Sequence, residues 1–396
     1  MNSLMLSWEY PPRIVGGLAR NVYWLSKELS RLGVRVVIIT LGFPGLPPYE
    51  KEENLEVYRV DAYRLASPSF LDWVYQFNAT MIETASKVMK EKFDIIHAHD
   101  WLVSPAAISL KHIYRVPLYA HIHSTELGRR GGLLDNFQRH IHELEWLLTY
   151  EAWRVAVCSH FMRREILSMF GLPAEKVDVL PNGINPFEWK STLDAQAVRS
   201  RYAAPWEKIV LYVGRMVYEK GVHILLEAAA KLAGRSDVKF IFVGDGPMKP
   251  QLVRRAHEIG VGVKAFFTGF IDDQELRALY SLSDVAVFPS LYEPFGIVAL
   301  EAMAARRPVV ASNIGGFSEI IKHGETGILV PPNDPASLAS ALTQLLEDPN
   351  YARWIGENGW RLIGERYRWE EIAKKTLDAY GRVRKEYEAF GWRPRT

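Results

Sequence analysis

Residues Ser290–Ala302 read SLYEPFGIVALEA, with two glutamates, Glu293 and Glu301, eight positions apart around a Pro-Phe-Gly turn. Pro294 biases Glu293 away from helical geometry, and Gly296 permits a tight entry into the segment 297–305. That segment is made of good helix formers. Glu293 is therefore expected on a loop, and Glu301 about a turn and a half inside a helix. The amides of the helix start, around Phe295, Gly296 and Ile297, lie between the two carboxylates. Such amides and the positive dipole end favour an anion such as a diphosphate. Carboxylates on either side can accept hydrogen bonds from sugar and ribose hydroxyls. An isolated glutamate pair at this spacing is more often solvated surface, so the pair needs supporting residues.

Such residues are present. In YVGRMVYEKG, 212–221, Arg215 and Lys220 fall just past a strand-like run. A guanidinium offers a bidentate fork and an ammonium a point charge, both suited to a diphosphate. VGDGP and FTGF place Gly244 and Gly269 at the ends of further strand-like runs, where backbone can line a nucleotide pocket. NIGGFSE, 313–319, is a glycine loop of the same type. None of these is the G-x-G-x-x-G of a dinucleotide-binding oxidoreductase.

Near the N-terminus, VGGL puts Gly16 and Gly17 at a strand-to-helix turn, where backbone can approach a phosphate or sugar. HAHDW, 97–101, and AHIHSTE, 120–126, end two more strands. The i, i+2 spacing puts His97 with His99, and His121 with His123, on one face of each strand, so a zinc site is conceivable. No cysteine or H-x3-H pattern supports it, and the expectation is no metal. No D-x-D occurs, which argues against a divalent ion held by paired aspartates at a leaving diphosphate.

These residues need rigid elements to carry them. Short β-branched runs alternate with helical periodicity at 4–7, 34–40, 94–98, 118–122, 155–158 and 177–180. The pattern restarts at 209–213, 239–243, 265–268, 285–289, 308–311 and 327–330. Near-continuous apolar strands separated by helices predict parallel sheets covered on both faces. The turn-rich PNGINPFEW, 181–189, marks a linker near 181–192. The expectation is an N-terminal domain over 1–185 and a C-terminal domain over 186–372, with a last helix, about 373–396, packing back on the first. In open parallel sheets ligands sit beyond the carboxyl ends of the strands, and two such domains facing one another make a cleft.

Composition bounds the rest. The 396 residues are 48% hydrophobic and 24% charged, with a formal net charge of +2, which is globular and gives no basic footprint for nucleic acid. With Cys158 alone, no intramolecular disulfide forms. The first residues lack a charged, then apolar, signal pattern, and no apolar run reaches the ~20 residues of a membrane span. A cytoplasmic location is expected. The aromatic stretches 67–77 and 134–146 could stack on a glycan or touch lipid. Packing inside the first domain is the favoured reading, and peripheral membrane contact is not.

Taken together, the E-x7-E from Glu293 to Glu301, the G-R…K-G of 214–221, the H-x-H-D-W of 97–101 and the N-terminal G-G-L resemble the retaining GT-B glycosyltransferases. The resemblance is to family 4, close to the bacterial and archaeal glycogen synthases, and covers nearly the whole chain. It implies a GT-B fold of two Rossmann-like domains facing across a cleft. It implies transfer of a hexose, glucose first, from a nucleoside-diphosphate sugar (UDP- or ADP-glucose) to a carbohydrate hydroxyl, without metal or other cofactor. Glu301 would bind the ribose, Glu293 the donor sugar, and Arg215 and Lys220 the diphosphate. Gly16, Gly17, Gly244, Gly269, Phe295, Gly296 and Ile297 would bind the donor. His123 would lie by the anomeric centre, and Asp100 would face the acceptor. One departure is plain: where glycogen synthases have K-x-G-G-L, this chain has Ile14, with Arg13 one place early. A sugar-nucleotide epimerase of the same fold, and a transferase using a glycolipid at a membrane surface, are the alternatives.

Overall fold

The structure, a computed structural model, describes residues 1–62, 66–187 and 189–392. The chain divides into two compact units. One comprises Met1–Asn182 and the segment from Trp369 onward, the other Gly183–Arg368. These divisions fall slightly before the expected 185/186 and 372/373. Position 188 of the expected linker and positions 393–396 of the expected last helix lie outside the described residues.

The first unit is built on an eight-stranded sheet. In chain order the strands are β1 (Asn2–Leu6), β2 (Arg35–Leu41), β3 (Tyr49–Glu52), β4 (Leu55–Val60), β5 (Ile95–His99), β6 (Leu118–Ile122), β7 (Arg154–Val157) and β8 (Val177–Val179). Their order across the sheet is β3-β4-β2-β1-β5-β6-β7-β8. Every pairing is parallel except the edge hairpin of β3 and β4. That hairpin is absent from the expected strands. Its YEKE strand is polar and lies at the edge, so it has no apolar run to betray it.

One face of this sheet packs on the helices Gly17–Arg31 and Trp369–Phe390. Val22, Leu25 and Leu29 of the first, and Ile372, Ala379, Tyr380 and Val383 of the second, share a core with Met5, Val36, Ile38 and Tyr119. The last helix is also pinned by charge. Arg382 Nη2 reaches Asp178 Oδ1 at 2.9 Å, and Arg154 Nη1 reaches Glu386 Oε1 at 3.1 Å. It therefore belongs to the N-terminal unit although it comes from the other end of the chain.

The second unit is a six-stranded, wholly parallel sheet: β9 (Lys208–Val213), β10 (Val238–Val243), β11 (Ala265–Gly269), β12 (Val285–Phe288), β13 (Val309–Ser312) and β14 (Ile328–Val330). The order β11-β10-β9-β12-β13-β14 reverses direction between β9 and β12. That switch point is where an open α/β sheet leaves a crevice beyond its strand ends. The runs ending at Val213 and Phe288 thus deliver the two informative loops to neighbouring positions.

Candidate active site

The loops that leave β9 and β12 are stitched together. Leu291 donates its amide to the Glu219 carbonyl at 2.8 Å. The stitch sets Lys220, the last residue of the 3-10 turn Tyr218–Lys220, against Glu293. Lys220 Nζ donates to Glu293 Oε2 at 2.7 Å, and the Ser290 hydroxyl donates to the same oxygen at 3.1 Å. Glu293 is 6% exposed and Glu301 4%, so neither is the solvated surface glutamate that an isolated pair would suggest. Gly221 makes the close approach of these loops feasible. It has φ +65°, and a Cβ there would lie 1.9 Å from the Pro289 carbonyl oxygen.

After Glu293 the chain enters the helix Ile297–Ala304 through Gly296, whose φ is +104°. No side chain among the described residues caps this helix at its N-cap position. A Cβ on Gly296 would meet the Phe317 ring at 2.3 Å, so the residue type is set by both backbone and space. Phe295, just before it, is buried. Glu301, one turn in, accepts a hydrogen bond from the buried Tyr280 hydroxyl at 3.0 Å.

Arg215 comes after β9 on the same loop as Lys220. Its side chain is 44% exposed and its only described ion pair is a loose one, 3.4 Å to Glu219. The guanidinium remains available for a ligand. Gly244, just after β10, donates its amide to the carbonyl of Gly269, the last residue of β11, at 2.9 Å. The C-terminal unit thus gathers Arg215, Lys220, Glu293, Gly296 and Glu301 at the carboxyl ends of its strands. An exposed guanidinium, an ammonium and an uncapped helix start can neutralise a diphosphate. Two buried carboxylates can accept from hydroxyls.

In the N-terminal unit, Asp100 directly follows β5 with φ +61° and ψ 174°, a conformation rare for any residue but glycine. Strain of this kind costs about 1–3 kcal/mol and collects at functional sites. Its Oδ1 accepts the His123 amide at 2.7 Å, and its own amide donates to the His121 carbonyl at 2.9 Å. Burial raises the Asp100 carboxyl to about 7, against the opposing pull of the His123 amide and Arg129. Nearby Glu145 is pushed to about 8, again by burial. Strand register sets His99 opposite His121. His97, His99, His121 and His123 form a stack of imidazoles, with neighbouring centroids 4.1–5.7 Å apart. Burial lowers all four pKa values, that of His121 to about 3. His99 Nδ1 and His123 Nε2 are 3.1 Å apart and share a hydrogen bond.

Sequence reasoning missed Glu9. Its buried Oε2 accepts the amides of Val15 and Gly16, at 2.8 and 3.1 Å. The Gly16 amide is thus engaged by an internal carboxylate, while Gly17 opens the helix Gly17–Arg31. Ser290 and Tyr280 were missed as well. Ser290 had a signal, since it lies three residues before Glu293 across a turn. Tyr280 had none, because its contact spans 21 positions of sequence. The aromatic stretches correct one expectation. Trp73 and Phe77 are buried, but Phe70, Tyr75, Leu134, Phe137 and Trp146 are exposed, so internal packing accounts for only part of them.

The chain and its two-sheet fold are matched in known proteins. The Glycosyltransferase Family 4 profile matches residues 15–187, and the Glycosyl transferases group 1 profile matches residues 197–361. An uncharacterized glycosyltransferase of Methanocaldococcus jannaschii is 41% identical, covering 96% of this chain and 98% of that protein. The glycogen synthase of Mycobacterium tuberculosis is 36% identical, covering 96% and 94%. The solved structure of sucrose-phosphate synthase from Thermosynechococcus elongatus superposes with a TM-score of 0.82 at 28% identity, covering 96% and 98%. The chain belongs to the family 4 glycosyltransferases of the GT-B fold. No helix among the described residues is long and apolar enough to cross a membrane.

Proposed function

We propose that this glycosyltransferase moves a hexose, glucose first, from a nucleoside-diphosphate sugar to a carbohydrate hydroxyl, with retention of anomeric configuration. The observation that carries the reading is the Lys220–Glu293–Ser290 contact beside the uncapped helix start at Gly296, with Arg215 on the same loop. Arg215, Lys220 and the amides around Phe295, Gly296 and Ile297 hold the diphosphate. Only one of the three Lys220 N–H groups is needed for Glu293, which leaves the others for phosphate oxygens. Glu293 accepts from donor-sugar hydroxyls and Glu301 from the ribose, with Gly244 and Gly269 lining the nucleotide. In the N-terminal unit His123 positions the anomeric centre, Asp100 meets the acceptor, and Gly17 supplies donor-side backbone. Similarity to a glycogen synthase favours an α-glucan acceptor.

The bond that breaks joins the anomeric carbon to the diphosphate oxygen, and the bond that forms joins that carbon to the acceptor oxygen on the same face. The acceptor proton passes to the departing phosphate. Charge accumulates on the diphosphate as the sugar becomes oxocarbenium-like, so preorganised cations and amides stabilise the transition state more than the ground state. No divalent ion is assigned to this step, because the two basic side chains and the helix end fill the role. Added Mg2+ should therefore leave the rate unchanged.

The test is a panel of UDP-, ADP- and GDP-glucose read first by thermal shift, since a ligand that binds only the folded state raises apparent stability. The best donor is then incubated with maltooligosaccharides, and the new linkage is read by NMR. An α-linked product supports retention; a β-linked product overturns it. Donor consumed without an acceptor to give a new sugar nucleotide would point to the epimerase.

A further inference from the structure

We propose that His97, His99 and His121 bind one divalent transition-metal ion of the zinc class inside the N-terminal unit, beside His123 and Asp100 but taking no part in the bond exchange itself. The three side chains sit on neighbouring parallel strands, two on β5 and one on β6, and each residue is at most 1% exposed. One ligating atom from each lies within 4.8 Å of those of the other two.

The hydrogen bonding has the pattern expected of metal ligands. The Nδ1 of His97 is tied to the Tyr380 hydroxyl at 2.7 Å, and the Nδ1 of His99 to His123 Nε2 at 3.1 Å. The opposite nitrogens, Nε2 of both rings, have no hydrogen-bond partner among the described residues, and neither nitrogen of His121 has one. Ligating histidines characteristically use the second ring nitrogen to fix tautomer and orientation while the first faces the ion. Unpaired polar atoms at this depth require an explanation. A single water has only two hydrogens to offer three lone pairs, whereas a metal ion accepts all three.

The donor set selects the ion. It contains neither thiolate nor carboxylate, and imidazole suits zinc, copper and nickel. Three histidines hold zinc in sites whose fourth ligand is a water, and a water would complete the tetrahedron here. Zinc–nitrogen bonds of ~2.0–2.1 Å place tetrahedral ligand atoms ~3.3 Å apart. The rings now lie stacked, His97 and His121 within 3° of parallel. Binding therefore needs the His121 ring, neither of whose nitrogens is held, to turn toward the other two about Cβ–Cγ, which is a soft torsion in histidine. A bound ion would tie β5 to β6 one residue before the strained Asp100.

The experiment uses the full chain, purified without metal-affinity chromatography, dialysed against a chelator and titrated with Zn2+ or Co2+ alone. The expected result is about one equivalent of zinc retained after gel filtration, a rise in Tm of several degrees, and a tetrahedral-type visible spectrum for the Co2+ form. His121→Ala should lower retained zinc at least roughly tenfold, in keeping with loss of one of three ligands. The wild-type zinc content and Co2+ spectrum decide the matter even should His121→Ala fail to fold. Wild-type protein that retains no zinc and shows no shift in Tm overturns the proposal and leaves water as the occupant. So does a His121→Ala protein that retains a full equivalent.

Discussion

Lys220 Nζ stands 2.7 Å from Glu293 Oε2, in an ion pair whose side chains are 20% and 8% exposed. The pair joins two loops that leave neighbouring strands β9 and β12, and it sets an ammonium and a carboxylate beside one helix start. Lys220→Ala should cut turnover by on the order of 10²–10³, as for loss of one transition-state donor. It should also cost on the order of 3 kcal/mol of stability, because a buried carboxylate loses its partner. A Lys220→Met, Glu293→Gln double variant should be more stable than Lys220→Ala while staying inactive. Urea unfolding and initial rates measured on the same samples check both.

Arg215 separates catalysis from stability. Its side chain is 44% exposed and makes only a loose described ion pair. Arg215→Ala should lose on the order of 10²–10³ in turnover with Tm nearly unchanged. A variant that keeps wild-type kcat removes the residue from the diphosphate site.

Glu301 accepts a hydrogen bond from the Tyr280 hydroxyl, and the proposed reading puts Glu301 at the ribose. Glu301→Ala should raise KM for donor more than it lowers kcat, as expected for a group that binds ground and transition states alike. Tyr280→Phe should shift KM in the same direction by a smaller factor. Steady-state kinetics with the donor varied at saturating acceptor distinguish these outcomes.

Gly221 is where backbone and space agree. A Cβ would sit 1.9 Å from the Pro289 carbonyl oxygen, at a φ that disfavours any side chain. Gly221→Ala should destabilise by on the order of 4–5 kcal/mol and separate Lys220 from Glu293. Thermal unfolding compared with Gly234→Ala, which has open space around it, is the control.

The buried carboxyls of Asp100 and Glu145 predict a pH trend with a definite sign. Their pKa values rise in the folded chain from 3.8 to about 7 and from 4.5 to about 8. Between those limits the folded chain holds more protons than the unfolded one, so these groups make stability fall as pH rises from about 4 to about 8. Glu145→Gln removes one titration, and the decline in Tm from pH 5 to pH 8 should become shallower. An identical decline in wild type and variant would remove Glu145 as a source of the trend.

Much of the architecture was legible because parallel strands buried on both faces must be apolar throughout. Runs such as IVLYV before Arg215 and VAVF before Glu293 leave little else to be. The β3–β4 hairpin was not legible, since its edge strand is charged and its pairing is antiparallel. Arg215, Lys220, Glu293 and Glu301 could be picked out by type and by their place after strands. Their partners could not. The Lys220–Glu293 contact depends on β12 pairing with β9, a crossover that local sequence does not encode. The clasp of Glu9 on the Gly16 amide depends on a loop closing on itself. The histidine spacing was visible, but the orphaned nitrogens appear only once β5 and β6 are in register.

The most direct test of the diphosphate site is the affinity of the nucleoside diphosphate alone, measured by isothermal titration calorimetry on wild type and on an Arg215→Ala, Lys220→Ala double variant. The expected result is at least a roughly 100-fold weaker Kd for the variant, since two charge-assisted contacts are lost. A Kd unchanged within error, in a variant shown by circular dichroism to be folded, would contradict it.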